Sequence, residues 1–184
     1  MNIFVLDLDP VKAAQLQCDK HVVKMILETA QLLCTAHRMI DGKLVETKTA
    51  SGRKGRHYQL DDEREDILYK ACHYNHPSAV WVRESVDNYN WLYRHFIALS
   101  AEYKHRYNKE HATFTKLGSI LSVWPHNLTT QEQTPFKLAM NNEPQCINEA
   151  DPVGSYRKYY LTKRERFSMI WTKREIPTWF AEAA

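Results

Sequence analysis

Three side chains near the N-terminus have the types and spacing for chemistry. His21 and Glu28 lie seven residues apart with Lys24 between them. In a helix that spacing puts all three on one face. An imidazole, an amine and a carboxylate together can supply general acid/base catalysis, a nucleophile or a stabiliser for a developing cation. The same spacing also describes an ordinary solvated helix face with a Lys24–Glu28 pair at i,i+4. Both readings remain open on spacing alone.

A second pattern invites a metal and does not support one. Cys18-x-x-His21 and Cys34-x-x-His37 look like paired zinc ligands. Both pairs fall in one expected helix, where sixteen residues correspond to about 24 Å of rise. A tetrahedral ion with bonds of about 2.0–2.3 Å cannot collect all four. Neither a metal nor a cofactor is expected.

Basic residues gather in three places. The segment 43–65 holds Lys48, Arg53, Lys54, Arg56 and His57 among Ser and Gly. Small neighbours there would let backbone N–H groups approach phosphates. Arg94, Lys104, His105, Arg106 and Lys109 form a second basic face. Arg157, Lys158, Lys163, Arg164 and Arg166 form a third, interleaved with Tyr156, Tyr159 and Tyr160. Cations mixed with aromatics suit a nucleic-acid backbone and unstacked bases. Snorkelling helix surfaces would account for them as well. His76, in the break Asn75-His76-Pro77, either points into a cleft or caps the turn.

The elements that must position these residues read as mostly α. With 184 residues and 43% hydrophobic content, the chain suits one compact helical domain over 1–184. The apolar run 2–6 reads as a short extended tail lying on the core. Asp9-Pro10 opens a helix as N-cap and N1. One long helix is expected over 11–39, ended by Asp41-Gly42, with Val22, Val23, Ile26, Ala30, Leu33 and Cys34 inward. His21, Lys24, Glu28, Gln31, Thr35 and Arg38 fall on its opposite side. An exposed, mobile basic loop follows at about 43–60. Further helices are expected over 61–72, from 77 to about 107, over 111–123, around 136–140 and over 152–167, with long loops between Pro125 and Pro152. The net charge of +3 permits a local nucleic-acid-binding patch, and nine His add latent positive charge at lower pH. No apolar run is long enough to span a membrane. The four sparse Cys read as reduced thiols, and the early Asp7 and Asp9 argue against a signal peptide. A cytoplasmic location and no obligate protein partner are expected.

Taken in order, these blocks resemble the pyrimidine-dimer DNA glycosylase/AP lyases of the phage endonuclease V type. The resemblance rests on Asp19-Lys20-His21 with Glu28, on Asn75-His76-Pro77, on Ala101-Glu102-Tyr103 and Arg106-Tyr107-Asn108, and on the aromatic tail Pro177-Thr178-Trp179-Phe180. It covers about half the chain in scattered blocks. The chain is also similar to tailed-phage proteins that open with Met-Asn-Ile-Phe, which would place it in an infected host cell. The resemblance implies a compact helical enzyme that extrudes a base from DNA and cuts its glycosidic bond. An N-terminal α-amine would attack the sugar, with Glu28 as the catalytic Glu and His21 as the nearby His.

Two departures are visible. Asn2 stands where these enzymes expose a small residue after loss of the initiator Met, so the amine falls to Met1, with Lys24 or water as substitutes. Leu27 and Gln31 stand where arginines flank the family's Glu. Damaged or modified pyrimidines are the expected substrates. Lys20, Arg53, Lys54, Arg56, His76, Arg83 and Lys158 are the expected DNA contacts. Two other classes fit the sequence: a non-catalytic DNA-binding protein that kept the fold, and an enzyme acting on free modified nucleotides.

Overall fold

The computed structural model describes residues 1–48, 52 and 54–183. It is 51% helical, with eight α-helices and a two-stranded sheet among the described residues. The helices are α1 (Pro10–Gln15), α2 (Asp19–Asp41), α3 (Arg64–Ile67), α4 (Pro77–Trp81), α5 (Val86–Tyr107), α6 (Ala112–Leu117), α7 (Pro152–Leu161) and α8 (Thr178–Ala181). The strands are β1 (Lys43–Lys48) and β2 (Lys54–Gln59). The mostly α expectation therefore holds. No helix among the described residues is long and apolar enough to cross a membrane.

The core sits where α2 and α5 cross. Val22, Met25, Ile26, Leu32 and Leu33 of α2 are buried, as are Tyr89, Leu92, Phe96 and Leu99 of α5. The tail packs on the same core, with Ile3, Phe4, Val5 and Leu6 all at most 4% exposed. As expected, Asp9 caps α1: its Oδ1 accepts from the N–H groups of Val11 and Lys12 at 2.7 and 3.1 Å.

The expected helix over 11–39 is broken at residues 16–18 by partners distant in sequence. The buried Arg106 guanidinium donates to the carbonyls of Gln15 and Gln17 and to Asp19 Oδ1, at 3.0, 2.9 and 2.9 Å. Trp171 Nε1 donates to the Leu16 carbonyl at 2.9 Å. With these carbonyls satisfied, α1 stops at Gln15 and α2 restarts at Asp19 after an extended Cys18. Arg106 is thus an internal brace and not part of a solvated basic face. The polar stripe expected on α2 is also largely buried: Thr35 and Arg38 are at most 1% exposed, whereas Val23 faces solvent.

The loop expected at 43–60 is instead an antiparallel hairpin, in register from Lys43↔Gln59 to Lys48↔Lys54. Gly42 permits its departure from α2, since a Cβ there would lie 2.4 Å from the Arg38 carbonyl. The helix expected over 61–72 shortens to α3 because its carbonyls turn elsewhere. Those of Glu65, Leu68 and Tyr69 accept from Arg38 at 2.8, 2.9 and 2.7 Å. The helix expected from 77 to 107 divides at Ser85, whose Oγ accepts from the Asn88 N–H at 3.1 Å and caps α5. The helix expected over 111–123 ends at Leu117 and resumes only as a 3-10 turn at Ile120–Ser122. No helix forms at 136–140, where Tyr156 Oη binds the Lys137 carbonyl at 2.7 Å. The last expected helix is α-helical to Leu161 and 3-10 over Thr162–Glu165.

Candidate active site

The tail crosses the outer face of α2 at Glu28. The Asn2 N–H donates to Glu28 Oε2 at 3.0 Å, and the Met1 α-amine lies 3.8 Å from the same oxygen. Lys24 Nζ pairs with Oε1 at 3.0 Å from the solvent side. Glu28 is only 9% exposed, so three nitrogen donors surround a carboxylate held largely out of water.

Asn2 holds this arrangement. Its Oδ1 accepts from the N–H groups of Ile3 and Phe4 at 2.8 and 2.9 Å, and its Nδ2 donates to the Ala139 carbonyl at 2.9 Å. The turn forces Phe4 to φ 47°, a left-handed conformation costing about 1–2 kcal/mol for a residue with a Cβ. Packing offsets that cost: the Phe4 ring stacks on His21 at 4.6 Å and meets the edge of Tyr160 at 5.1 Å. The tail is therefore a fixed element, unlike most chain termini.

His21 is locked from behind. The Cys18 N–H donates to Tyr160 Oη at 2.9 Å, and Oη lies 2.7 Å from His21 Nδ1. A buried phenol must place its own proton, and Nδ1 is the acceptor within reach. His21 Nδ1 thus accepts, and Nε2 carries the hydrogen with no protein partner among the described residues. Burial, then Lys24 and Lys163, lower the His21 pKa to about 4. His21 is consequently a neutral N–H donor near pH 7, not a reserve cation. Burial does the same to His37 and His95, each also near 4.

A cavity of about 230 Å³ opens in front of these groups. Met1, Phe4, His21 and Glu28 form one wall, and Tyr159, Lys163 and Phe167 form the other. Lys163 is 5% exposed, and its Nζ lies 3.4 Å above the Tyr159 ring. Exposed Lys24 and Arg166 border the opening. Larger depressions exist, one of about 660 Å³ beside Arg157 and Trp179, but the convergent acid, amine and imidazole occupy the smaller one.

The sequence-selected residues distribute unevenly. Met1, His21, Lys24 and Glu28 converge. Lys20 stands at the rim, its Nζ 4.7 Å from the centre of the Phe167 ring. His76 takes the capping role its position allowed and does not line the cavity. Its Nδ1 accepts from the Ser78 N–H at 3.2 Å and caps α4, while the ring sits behind Met1. Burial and then the N-terminal ammonium lower its pKa, opposed by the Met1 carbonyl and Glu28. Arg83 is half-buried away from the cavity, with Nη2 donating to the Tyr74 carbonyl at 2.9 Å. Lys54 and Arg56 are exposed on β2. Lys158 is exposed and does not line the cavity. Arg53 lies outside the described residues. Lys163 and Tyr160 belong to the third basic and aromatic cluster of the sequence, but their places against the cavity and against His21 were not read from it, although Tyr159 and Lys163 share an i,i+4 spacing that marks a common face.

A family model described as pyrimidine dimer DNA glycosylase matches residues 1–115. The chain belongs to that family. Membership makes the protein a DNA glycosylase in general terms, with DNA as its substrate. No curated protein and no solved structure matches the chain. The matched span of this glycosylase carries the tail, α1 to α5 and the hairpin. The opposite cavity wall, with Tyr159, Lys163, Arg166 and Phe167, lies beyond it. Leu27, exposed, and Gln31 flank Glu28 without supplying a cation.

Proposed function

We propose that the protein excises a damaged or modified pyrimidine from DNA by attack of the Met1 α-amine on the sugar. The observation that carries this reading is the pinned terminus, with its nitrogen 3.8 Å from Glu28 Oε2. In its neutral form the amine adds to C1′ of the deoxyribose. The glycosidic bond breaks, and its electron pair leaves on the base nitrogen, which takes up a proton. Glu28 accepts the proton lost by the attacking nitrogen and faces the positive charge that develops on the sugar. Ring opening leaves an imine between Met1 and C1′. Removal of a C2′ proton then expels the 3′ phosphate, giving AP lyase activity. His21 donates its Nε2–H to a sugar or phosphate oxygen, and Lys163 and Arg166 supply positive charge for the flanking phosphates. Fixing the amine before substrate arrives removes part of the entropic barrier. The damaged nucleotide leaves the stack to reach the amine, since the cavity is recessed.

Borohydride reduction in the presence of duplexes carrying abasic sites, dimers or modified pyrimidines tests the reading. A covalent adduct mapping to Met1 by mass spectrometry is expected, and two residues added before Met1 should abolish it. An adduct on Lys163 or Lys24, or strand cleavage that survives the extension, overturns the amine mechanism. Leu27 and Gln31 favour a second reading, a DNA-binding protein without catalysis. Its signature is DNA affinity that Glu28→Gln leaves intact, with no cleavage by the unaltered protein.

A further inference from the structure

The β1–β2 hairpin contributes no residue to the cavity lining, and its first strand is exposed along its described length. Residues 43–47 of β1 are all exposed, and Leu44 and Val45 are exposed despite being apolar. Its root is firmly held: His57 Nε2 meets Glu65 Oε1 at 2.8 Å, and Arg38 Nη1 donates to the Tyr58 carbonyl at 3.1 Å. A rigid root under an exposed ribbon is the construction of an arm.

The cross-strand register assigns the arm's two faces. Opposed residues share a face, so Leu44, Tyr58, Glu46 and Arg56 lie together, and Lys54, two residues before Arg56 on β2, continues that face. His57 occupies the other face, against Glu65. On the first face the Tyr58 ring meets the Tyr74 ring edge-on at 5.6 Å. The Tyr74 carbonyl holds Arg83, a half-buried cation with no carboxylate partner among the described residues. Two residues beyond Tyr74, His76 lies against Met1. Tyr58, Tyr74 and Arg83 thus follow one another by contact beside Arg56, and Glu46 is the one acid among the ribbon's described residues.

We propose that this ribbon is a second DNA-holding element, gripping the backbone of the duplex that flanks the excised nucleotide. Six-residue strands span roughly 20 Å, and a two-stranded ribbon of that size fits the major groove of B-DNA. Lys54 and Arg56 neutralise phosphates, and the free edge of β1 offers further backbone N–H donors. The proposal rests on the glycosylase reading and makes the substrate duplex DNA, since a free nucleotide seated at Glu28 would not reach the ribbon.

The test uses the full chain and an undamaged duplex of about twenty base pairs, with affinity measured across a salt series. Lys54→Glu/Arg56→Glu should bind roughly 50-fold more weakly near 0.1 M salt, with a log–log salt slope shallower by about 1.8. Lys54→Gln/Arg56→Gln should also bind more weakly, with a smaller loss, and guards against a folding defect in the charge reversal. Thermal melts of both variants should match that of the unaltered protein. If the unaltered protein binds and both variants bind with the same affinity and slope, the arm is overturned and the glycosylase reading stands. If the unaltered protein itself shows no salt-dependent affinity for DNA, the underlying reading fails with it.

Discussion

Helix α2 carries a histidine-centred polar cluster at each end, and the two are finished differently. At the C-terminal end every group is answered. Arg38 places its donors on the carbonyls of Tyr58, Glu65, Leu68 and Tyr69 and on the Glu65 carboxylate. Arg64 bridges Asp41 and Asp62, and His37 sits between Arg64 and the Tyr89 hydroxyl. At the N-terminal end, His21 Nε2 has no partner among the described residues, Lys163 has the Tyr159 ring and the Thr162 hydroxyl but no carboxylate among them, and a cavity lies in front of both. A closed network holds elements together; an open one beside a cavity is available to a ligand. The same helix therefore serves as scaffold at one end and as site at the other.

The comparison breaks most sharply at Arg38. Arg38→Ala removes a fully buried guanidinium and leaves the carbonyls of Tyr58, Glu65, Leu68 and Tyr69 without its donors. It should cost about 3–5 kcal/mol of stability and lower Tm by roughly 10 °C or more in thermal melts. Glu28→Gln probes the opposite end. It should reduce single-turnover excision about 100- to 1000-fold, some 3–4 kcal/mol of barrier, while Tm moves by only a few degrees. If Glu28→Gln instead unfolds the protein and spares activity, the two ends have been assigned the wrong way round.

Acid affects both ends together. His21, His37 and His95 have folded pKa values near 4, below the unfolded value of about 6.5. Their stabilising contribution is complete above pH 6.5 and is lost as pH falls towards 4, because the unfolded chain binds the protons first. Each contributes a slope of up to about 1.4 kcal/mol per pH unit in that window. Denaturant midpoints measured from pH 7 to pH 4 should fall steadily. Asp62 and Glu65, both near 2 when folded, add a loss of the same sign only as pH approaches their unfolded values near 4, so the fall between about pH 6.5 and 5 reports the histidines. The smallest effect is expected at Tyr160. Tyr160→Phe removes the acceptor for the Cys18 N–H and the donor to His21 Nδ1, and should cost about 1 kcal/mol. Excision should fall about tenfold, and ¹⁵N NMR should show His21 losing its single Nε2–H tautomer.

What the sequence disclosed follows physical range. The His21, Lys24 and Glu28 grouping was legible because helical periodicity is local, and the packing of the tail was legible because residues 2–6 are apolar. The break before α2 was not, because Arg106 and Trp171 hold it from far along the chain. The hairpin was hidden by its composition: charged residues around Gly read as loop, although Leu44 and Glu46 alternate opposite Tyr58 and Arg56. Tyr160 and Lys163 were visible as part of a basic and aromatic cluster, but their place at the site was hidden for the same reason as the break, since periodicity says nothing about which distant helix will face His21.

The cavity is walled by the first residues of the chain and by some of its last. The bonds that join them skip most of the sequence: 139 residues separate His21 from Tyr160, 151 separate Leu6 from Arg157, and 155 separate Leu16 from Trp171. Contacts of such separation close the largest loops and form slowly. During synthesis α2 leaves the ribosome long before α7 exists. The amine and Glu28 can approach one another early, but the wall that carries Lys163 and locks His21 arrives more than a hundred residues later, with 139 residues between His21 and Tyr160. The two walls of the cavity therefore assemble only after segments far apart in sequence have met.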